Sequence, residues 1–473
     1  MAPNSAVAGN SATPASSPKR VLGFRDLFFF YVVTGISLRW IASAAAAGPS
    51  SIVIWLGAWL LFYVPLALSV IELSSRCPDE GGLYVWSKRA FGEFPGFICG
   101  WIYWASYFPY LPAALYFAAG NALYIRPTAW AHFSNNPGYY IGFSLLALWF
   151  VTLLNLLGLA VERWLHDAGA VAMWAPAAII VVMGVIASYR FGSANAFTMH
   201  SMLPSAHLKD RMFWAILIFA FGGSEAASFM GAEIKEPRRT VPAALLTAGL
   251  TVALCYILGT VGVLLALPAG EVSSLQGLMQ AVARTAGRVG FVPATRITAL
   301  LITLSNIAAV SAFLAATARL PFVAGLDRIL PSAFAKLHSR WGTPWVALLV
   351  QAVVGTVFVF LGQFQASVKG AYDVLVSIGV ITYFIPYLFL FAAMFRLQRE
   401  PVGDHVIRAV GGKSGAYTLA TVGILTTIFA ISLSMLPSTD EPHKLLAVAK
   451  VVGSTLILAG VGAWIYWAGK RRK

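Results

Sequence analysis

Apolar residues run in long stretches along this chain, separated by short polar segments rich in Lys and Arg. From Leu27 onward the stretches fall at about 27–47, 50–74, 96–124, 139–158, 168–188, 212–232, 243–267, 296–324, 344–362, 372–396, 416–436 and 446–468. A helix of about 20 residues crosses a bilayer, and only helices or closed barrels can do so with every backbone group paired. The pattern therefore predicts an all-α polytopic membrane protein of roughly twelve transmembrane helices. A further segment, from about Leu275 to Arg288, is amphipathic at helical spacing and predicts an external surface helix. Residues 1–18 are Ala, Ser, Pro, Asn and Gly-rich with no charge before Lys19. They lack a basic segment leading into an apolar core, so they are not a secretory signal, and 1–20 is expected to be a disordered cytoplasmic tail.

Composition agrees with the pattern. Of 473 residues, 59% are hydrophobic and 11% charged, against about 25% charged in soluble domains. That leaves too few polar residues to skin a soluble chain of this length, and excludes a disordered or fibrous one. The net charge of +15 could suggest nucleic-acid binding. In a membrane chain, Lys and Arg instead mark cytoplasmic loops. With the N-terminus inside, 21 of the 33 Lys and Arg fall on the cytoplasmic side and ten outside. This predicts both termini in the cytoplasm and no nucleic-acid partner. Cys77, Cys99 and Cys255 are isolated from one another, so neither a disulfide framework nor a zinc site is expected.

Two spans do not look like plain lipid-facing helices. The first holds Val32-Val33-Thr34-Gly35-Ile36-Ser37 and then Arg39; the sixth holds Phe219-Ala220-Phe221-Gly222-Gly223-Ser224-Glu225. Glycine weakens a helix by about 1 kcal/mol relative to alanine. A carboxylate within a span is costly unless it faces protein or water. Small residues can also serve close helix packing. Interruptions in corresponding positions of two halves, however, point to a transporter with inverted repeats and a midplane binding site.

Three further segments carry a resemblance: Glu72-Leu-Ser-Ser-Arg76-Cys-Pro78-Asp-Glu-Gly81-Gly82-Leu-Tyr84; Glu233-Ile-Lys235-Glu-Pro237-Arg238-Arg239-Thr-Val-Pro242; and Arg319 with Asp327-Arg-Ile-Leu-Pro331 and Gly342-Thr343-Pro344-Trp345. In this order they resemble the amino acid–polyamine–organocation superfamily of secondary transporters, over about helices 1 to 10. The resemblance implies 5+5 inverted repeats with broken helices 1 and 6, then two extra C-terminal helices. The implied divisions are 21–188 for the first repeat, 189–396 for the second, and 397–473 for helices 11 and 12 with a basic cytoplasmic tail. It also implies alternating access around the broken helices.

By the same resemblance, Thr34, Gly35, Ile36 and Ser37 form the break that receives a substrate carboxylate. Exposed amides beside a helix terminus do attract an anion. The Thr34 hydroxyl could instead bond back to its own helix. Gly222, Gly223 and Ser224 match the second break, whose carbonyls accept the substrate ammonium. Phe219 matches a lid position, and Tyr107, Tyr110, Leu111 and Phe313 fall at or near other substrate-facing positions. Aromatic faces can hold an ammonium by cation–π attraction. Glu225 is either a partner for unwound backbone or a proton carrier, since burial favours the neutral carboxyl. Glu72, Arg76, Glu233, Lys235, Arg238, Arg239, Arg319 and Asp327 are expected to close a cytoplasmic gate, or else to be solvated charge.

Four positions depart from the family pattern: in helix 1 Thr34 replaces the usual middle residue and Ser37 the usual aromatic, and Arg39 and Trp174 follow. Arg39 is unusual, and either favours an acidic substrate or pairs with an acid of a neighbouring helix. Trp174 aligns where some relatives carry a proton-coupling lysine, and an indole cannot carry a proton cycle. The expected activity is secondary transport of amino acids across the cell membrane, by exchange or proton symport, with no catalytic constellation, cofactor or metal. The rivals are a polyamine or organic-cation carrier and a transporter-like sensor or channel.

Overall fold

The computed structural model describes residues 22–77, 81–204, 208–226, 228, 234–323, 329–401, 403, 406–437 and 443–471; the expected N-terminal tail, Glu233 and Asp327 lie outside them. In chain order the first helices are α1 (Phe24–Gly35), α2 (Leu38–Ala46), α3 (Ser51–Arg76), α4 (Gly82–Phe91), α5 (Glu93–Ala105) and α6 (Tyr107–Ala122). Then come α7 (Pro137–Leu157), α8 (Leu159–Phe191), α9 (Leu208–Phe219), α10 (Pro237–Ala266) and α11 (Gly277–Val289). The chain closes with α12 (Pro293–Thr317), α13 (Trp345–Gln363), α14 (Val368–Leu397), α15 (Gly412–Ser434) and α16 (Lys444–Lys470).

Nine helices among the described residues are long and apolar enough to cross a membrane. They coincide with all the expected spans except the first, third and sixth, each of which is interrupted. The first parts at Ile36-Ser37 and the sixth ends its helix at Phe219. The interruption of the third span at Ser106 was not expected. Its cause is local: Pro109 has no N–H for the Ala105 carbonyl, so the helix closes at Ala105 and restarts at Tyr107. Proline also shapes α3. Pro65 cannot donate to Leu61, the helix widens to a π-turn over Trp59–Tyr63, and the Thr426 hydroxyl donates to the Leu61 carbonyl instead (3.1 Å). The fifth span begins earlier than its apolar run, because α8 continues back to Leu159 through polar residues. Hydropathy marks membrane depth, not where helical bonding starts.

The helices are not equally buried. In an apolar 18-residue stretch of α14, 83% of the residues are buried, against 33% in α15 and in α16, so α14 runs through the middle and the last two helices lie outside. Exposed Leu425, Leu456, Ile457 and Trp464 on α15 and α16 present an apolar surface to lipid. The amphipathic segment is α11, whose Leu278, Met279, Val282 and Ala286 face inward while Gly287 and Arg288 face out. It packs against α2, α8, α10 and α12. A single β-bridge among the described residues joins Leu22 to Ile234, with the Lys235 N–H donating to the Leu22 carbonyl (2.8 Å). It ties the chain just before α1 to the chain just before α10.

Candidate functional site

The two breaks lie side by side, and tyrosine hydroxyls hold them open. A helix that stops inside an apolar bundle leaves amide and carbonyl groups that need partners. At the first break the Tyr256 hydroxyl donates to the Gly35 carbonyl (2.6 Å) and accepts from the Ser37 N–H (3.1 Å). The same oxygen lies 3.4 Å from the Ala220 carbonyl at the second break. Tyr256 is positioned by a stacked Trp55 ring, 4.5 Å away and near parallel, whose indole N–H donates to Thr260 (3.1 Å).

At the second break the Tyr387 hydroxyl accepts from the Gly223 N–H (2.9 Å) and donates to Glu225 (2.8 Å). Tyr103 and Tyr383 donate to the other carboxylate oxygen, each at 2.9 Å. Three phenolic donors on one fully buried carboxylate satisfy a charge that the bilayer interior would otherwise penalise heavily. Both glycines are required by geometry. Gly223 has φ +106°, and a Cβ on Gly222 would meet Tyr383 Cε1 at 2.6 Å. Thr34, Gly35, Gly222, Gly223 and Ser224 line one small cavity between the breaks. The Thr34 hydroxyl donates to the Phe30 carbonyl (2.8 Å), the alternative that bonds it back to its own helix. Ile36 is buried, its N–H donating to Val32, and Ser37 accepts from Arg39.

Beyond the breaks, the expected aromatic residues meet. Phe219 contacts Tyr383 (5.1 Å between ring centres) and Tyr110 (6.5 Å). Phe313 contacts Tyr110 (5.4 Å) and Tyr107 (5.9 Å). Leu111 is buried in α6 beside them. Arg39 joins this group: its guanidinium carbon lies 4.4 Å from the Tyr110 ring and 4.7 Å from the Trp40 ring. Trp40, Tyr103, Tyr256, Tyr383 and Tyr387 were not singled out by the sequence. One signal was present: Tyr103/Tyr107 and Tyr383/Tyr387 are spaced four apart, the spacing that sets two side chains on one face of an unbroken helix.

Other expected residues lie elsewhere. Trp174 is 40% exposed on the outer side of α8 and does not line the cavity. Of the charges expected at a gate, Glu233 and Asp327 lie outside the described residues. Glu72 and Arg76 form a buried ion pair (2.7 Å) that reaches the end of α14. Arg76 donates to the Leu397 carbonyl and to Gln398, Gln398 donates to Glu72, and the Ala409 N–H donates to Glu72 (2.8 Å). This fastens α3 to the α14–α15 connection. Lys235, Arg238, Arg239 and Arg319 are exposed.

Residues 22–466 match the amino acid permease family. The chain is 28% identical to an uncharacterized transporter of Legionella pneumophila, covering 90% of this chain and 92% of that one. It is 24% identical to the serine/threonine exchanger SteT of Bacillus subtilis, over 93% of each. It is 22% identical to a Lactococcus lactis protein named "Probable agmatine/putrescine antiporter AguD", over 90% of each.

Proposed function

Because the chain belongs to the amino acid permease family, we propose that it is a secondary active transporter carrying amino acids across the cell membrane by alternating access. One observation carries this: two interrupted spans meet around a single hydroxyl, Tyr256, with a set of aromatic faces beside them. A broken helix can pivot at its break without losing the packing of either half, and polar backbone is tolerated at membrane depth where it lines a cavity. In the proposed cycle the substrate carboxylate meets the amides that open α2. The ammonium meets carbonyls around Ala220–Gly223 and the faces of Phe219, Tyr107 and Phe313. Tyr256 and Tyr387 yield or share their backbone partners as the breaks move.

The proposal includes repeats over 21–188 and 189–396, and both termini in the cytoplasm by the Lys and Arg bias. It includes either of two coupling modes. Exchange needs no titrating group, and one similar protein is named an exchanger. Proton symport needs a group that binds and releases a proton within the membrane, and Glu225 is the candidate because it sits at the second break in contact with its tyrosines.

Uptake of a labelled amino acid panel into proteoliposomes, with and without a proton gradient, tests the reading. Accelerated exchange when the same solute is loaded inside marks a carrier; flux indifferent to internal solute marks a channel, and binding without flux a sensor. An amine substrate is the second reading, suggested by the printed name of one relative. Against a polyamine stand the buried Arg39 cation among the same rings and a Glu225 carboxylate already accepting from three phenols.

A further inference from the structure

Arg39 is 2% exposed, yet only part of its guanidinium is engaged. Nε donates to the Ser37 hydroxyl (3.3 Å), and the Tyr110 and Trp40 rings pack on the guanidinium. One terminal nitrogen, Nη1, is buried with no hydrogen-bond partner. The ion pairs described elsewhere, Arg76–Glu72, Arg89–Glu400 and Arg284–Glu271, do not involve it. A cation buried without a counter-ion is strongly disfavoured, and an open guanidinium edge is shaped to receive a carboxylate or another oxyanion.

The position adds a second attraction. Arg39 lies in the first turn of α2, where the amides of Leu38 and Arg39 have no carbonyl within the helix and the helix dipole is positive. Tyr110, under the guanidinium, also touches Phe219 and Phe313, so Arg39 belongs to the aromatic site and not to a separate surface. The site therefore offers two anion receptors, the α2 terminus and Arg39. The carboxylate at the second break, Glu225, is occupied by three phenolic donors. A zwitterion with one carboxylate uses only half of this provision.

We infer that the substrate carries a second anionic group, and that this chain takes amino acids with a carboxylate side chain, held at Arg39. The inference rests on the amino acid transport reading and narrows it. Its test uses proteoliposomes holding the full chain, with labelled glutamate, glutamine, aspartate, asparagine and serine measured under counterflow. The unmodified protein should take up glutamate over glutamine and aspartate over asparagine. In Arg39→Gln the glutamate-to-glutamine ratio should fall by about thirtyfold or more, the loss expected when one partner of a buried charge pair is removed. Arg39→Lys keeps the charge without the fork, and its ratio should lie between the two. If Arg39→Gln fails to fold, the unmodified protein and Arg39→Lys still decide by their ratios. Robust serine or glutamine exchange with glutamate and aspartate ignored would overturn the inference and leave amino acid transport standing. Folded protein that moves none of the five would overturn both.

Discussion

Removing one oxygen from Tyr256 isolates what holds the first break open. In Tyr256→Phe the ring keeps its place on Trp55, 4.5 Å away, so packing is preserved. The Gly35 carbonyl and the Ser37 N–H lose the hydroxyl that each now uses, at 2.6 and 3.1 Å. The third contact, to the Ala220 carbonyl at 3.4 Å, is long and contributes little. A buried backbone group left without a partner costs about 1–3 kcal/mol. Two such groups give about 2–6 kcal/mol, and because both are only part-buried here the lower end applies. The lower figure is about a thirtyfold shift in an equilibrium constant. If substrate binds only the ordered break, apparent affinity weakens by up to that factor, because affinity scales with the fraction of competent conformers. The assays are melting temperature in detergent and substrate concentration dependence of counterflow. A lower Tm with weaker apparent affinity is expected. A variant that melts with the unmodified protein and binds within twofold of it would refute the view that Tyr256 holds the break.

Gly222→Ala should abolish transport while the protein still reaches the membrane, because the new Cβ meets Tyr383 Cε1 at 2.6 Å and displaces the ring beside Glu225; normal flux would show that the rings yield freely. Gly223→Ala has open space but a φ of +106°, so its defect should be the milder strain of about 1–3 kcal/mol, read as a lowered Tm. Phe219→Ala removes a ring between Tyr110 and Tyr383, and apparent affinity should weaken by about tenfold; unchanged affinity and flux would remove Phe219 from the site. Glu72→Ala leaves Arg76 buried without its anion, which costs about 3–5 kcal/mol, so folded yield and Tm should fall; a variant as stable as the parent would mean the pair only decorates the α3–α14 junction.

Much of the architecture was legible in the linear pattern. A bilayer demands a long apolar stretch for every crossing, so nine spans announce themselves, and the glycines beside Thr34 and Glu225 mark where two more give way. The third span's interruption was also written locally, in Pro109, but proline inside a membrane helix is often tolerated and so carries a weak signal. The site is a different matter. Phe219, Tyr110 and Phe313 were candidates by resemblance, and the fold brings their rings together. Tyr256, Tyr383 and Tyr387 were not, because each looks like an ordinary aromatic on an apolar helix until its hydroxyl is seen to end on a distant backbone group or on Glu225. Those partners lie more than 150 residues away in the chain, or 221 in the case of Tyr256 and Gly35. The sequence left Arg39 free to pair with a neighbouring acid; the fold instead surrounds it with Tyr110 and Trp40 and gives Nη1 no partner. Membrane crossing depends on composition summed over a segment, which the sequence determines by itself. Which hydroxyl meets which unpaired amide depends on how the helices are turned against one another, and only the tertiary structure decides that.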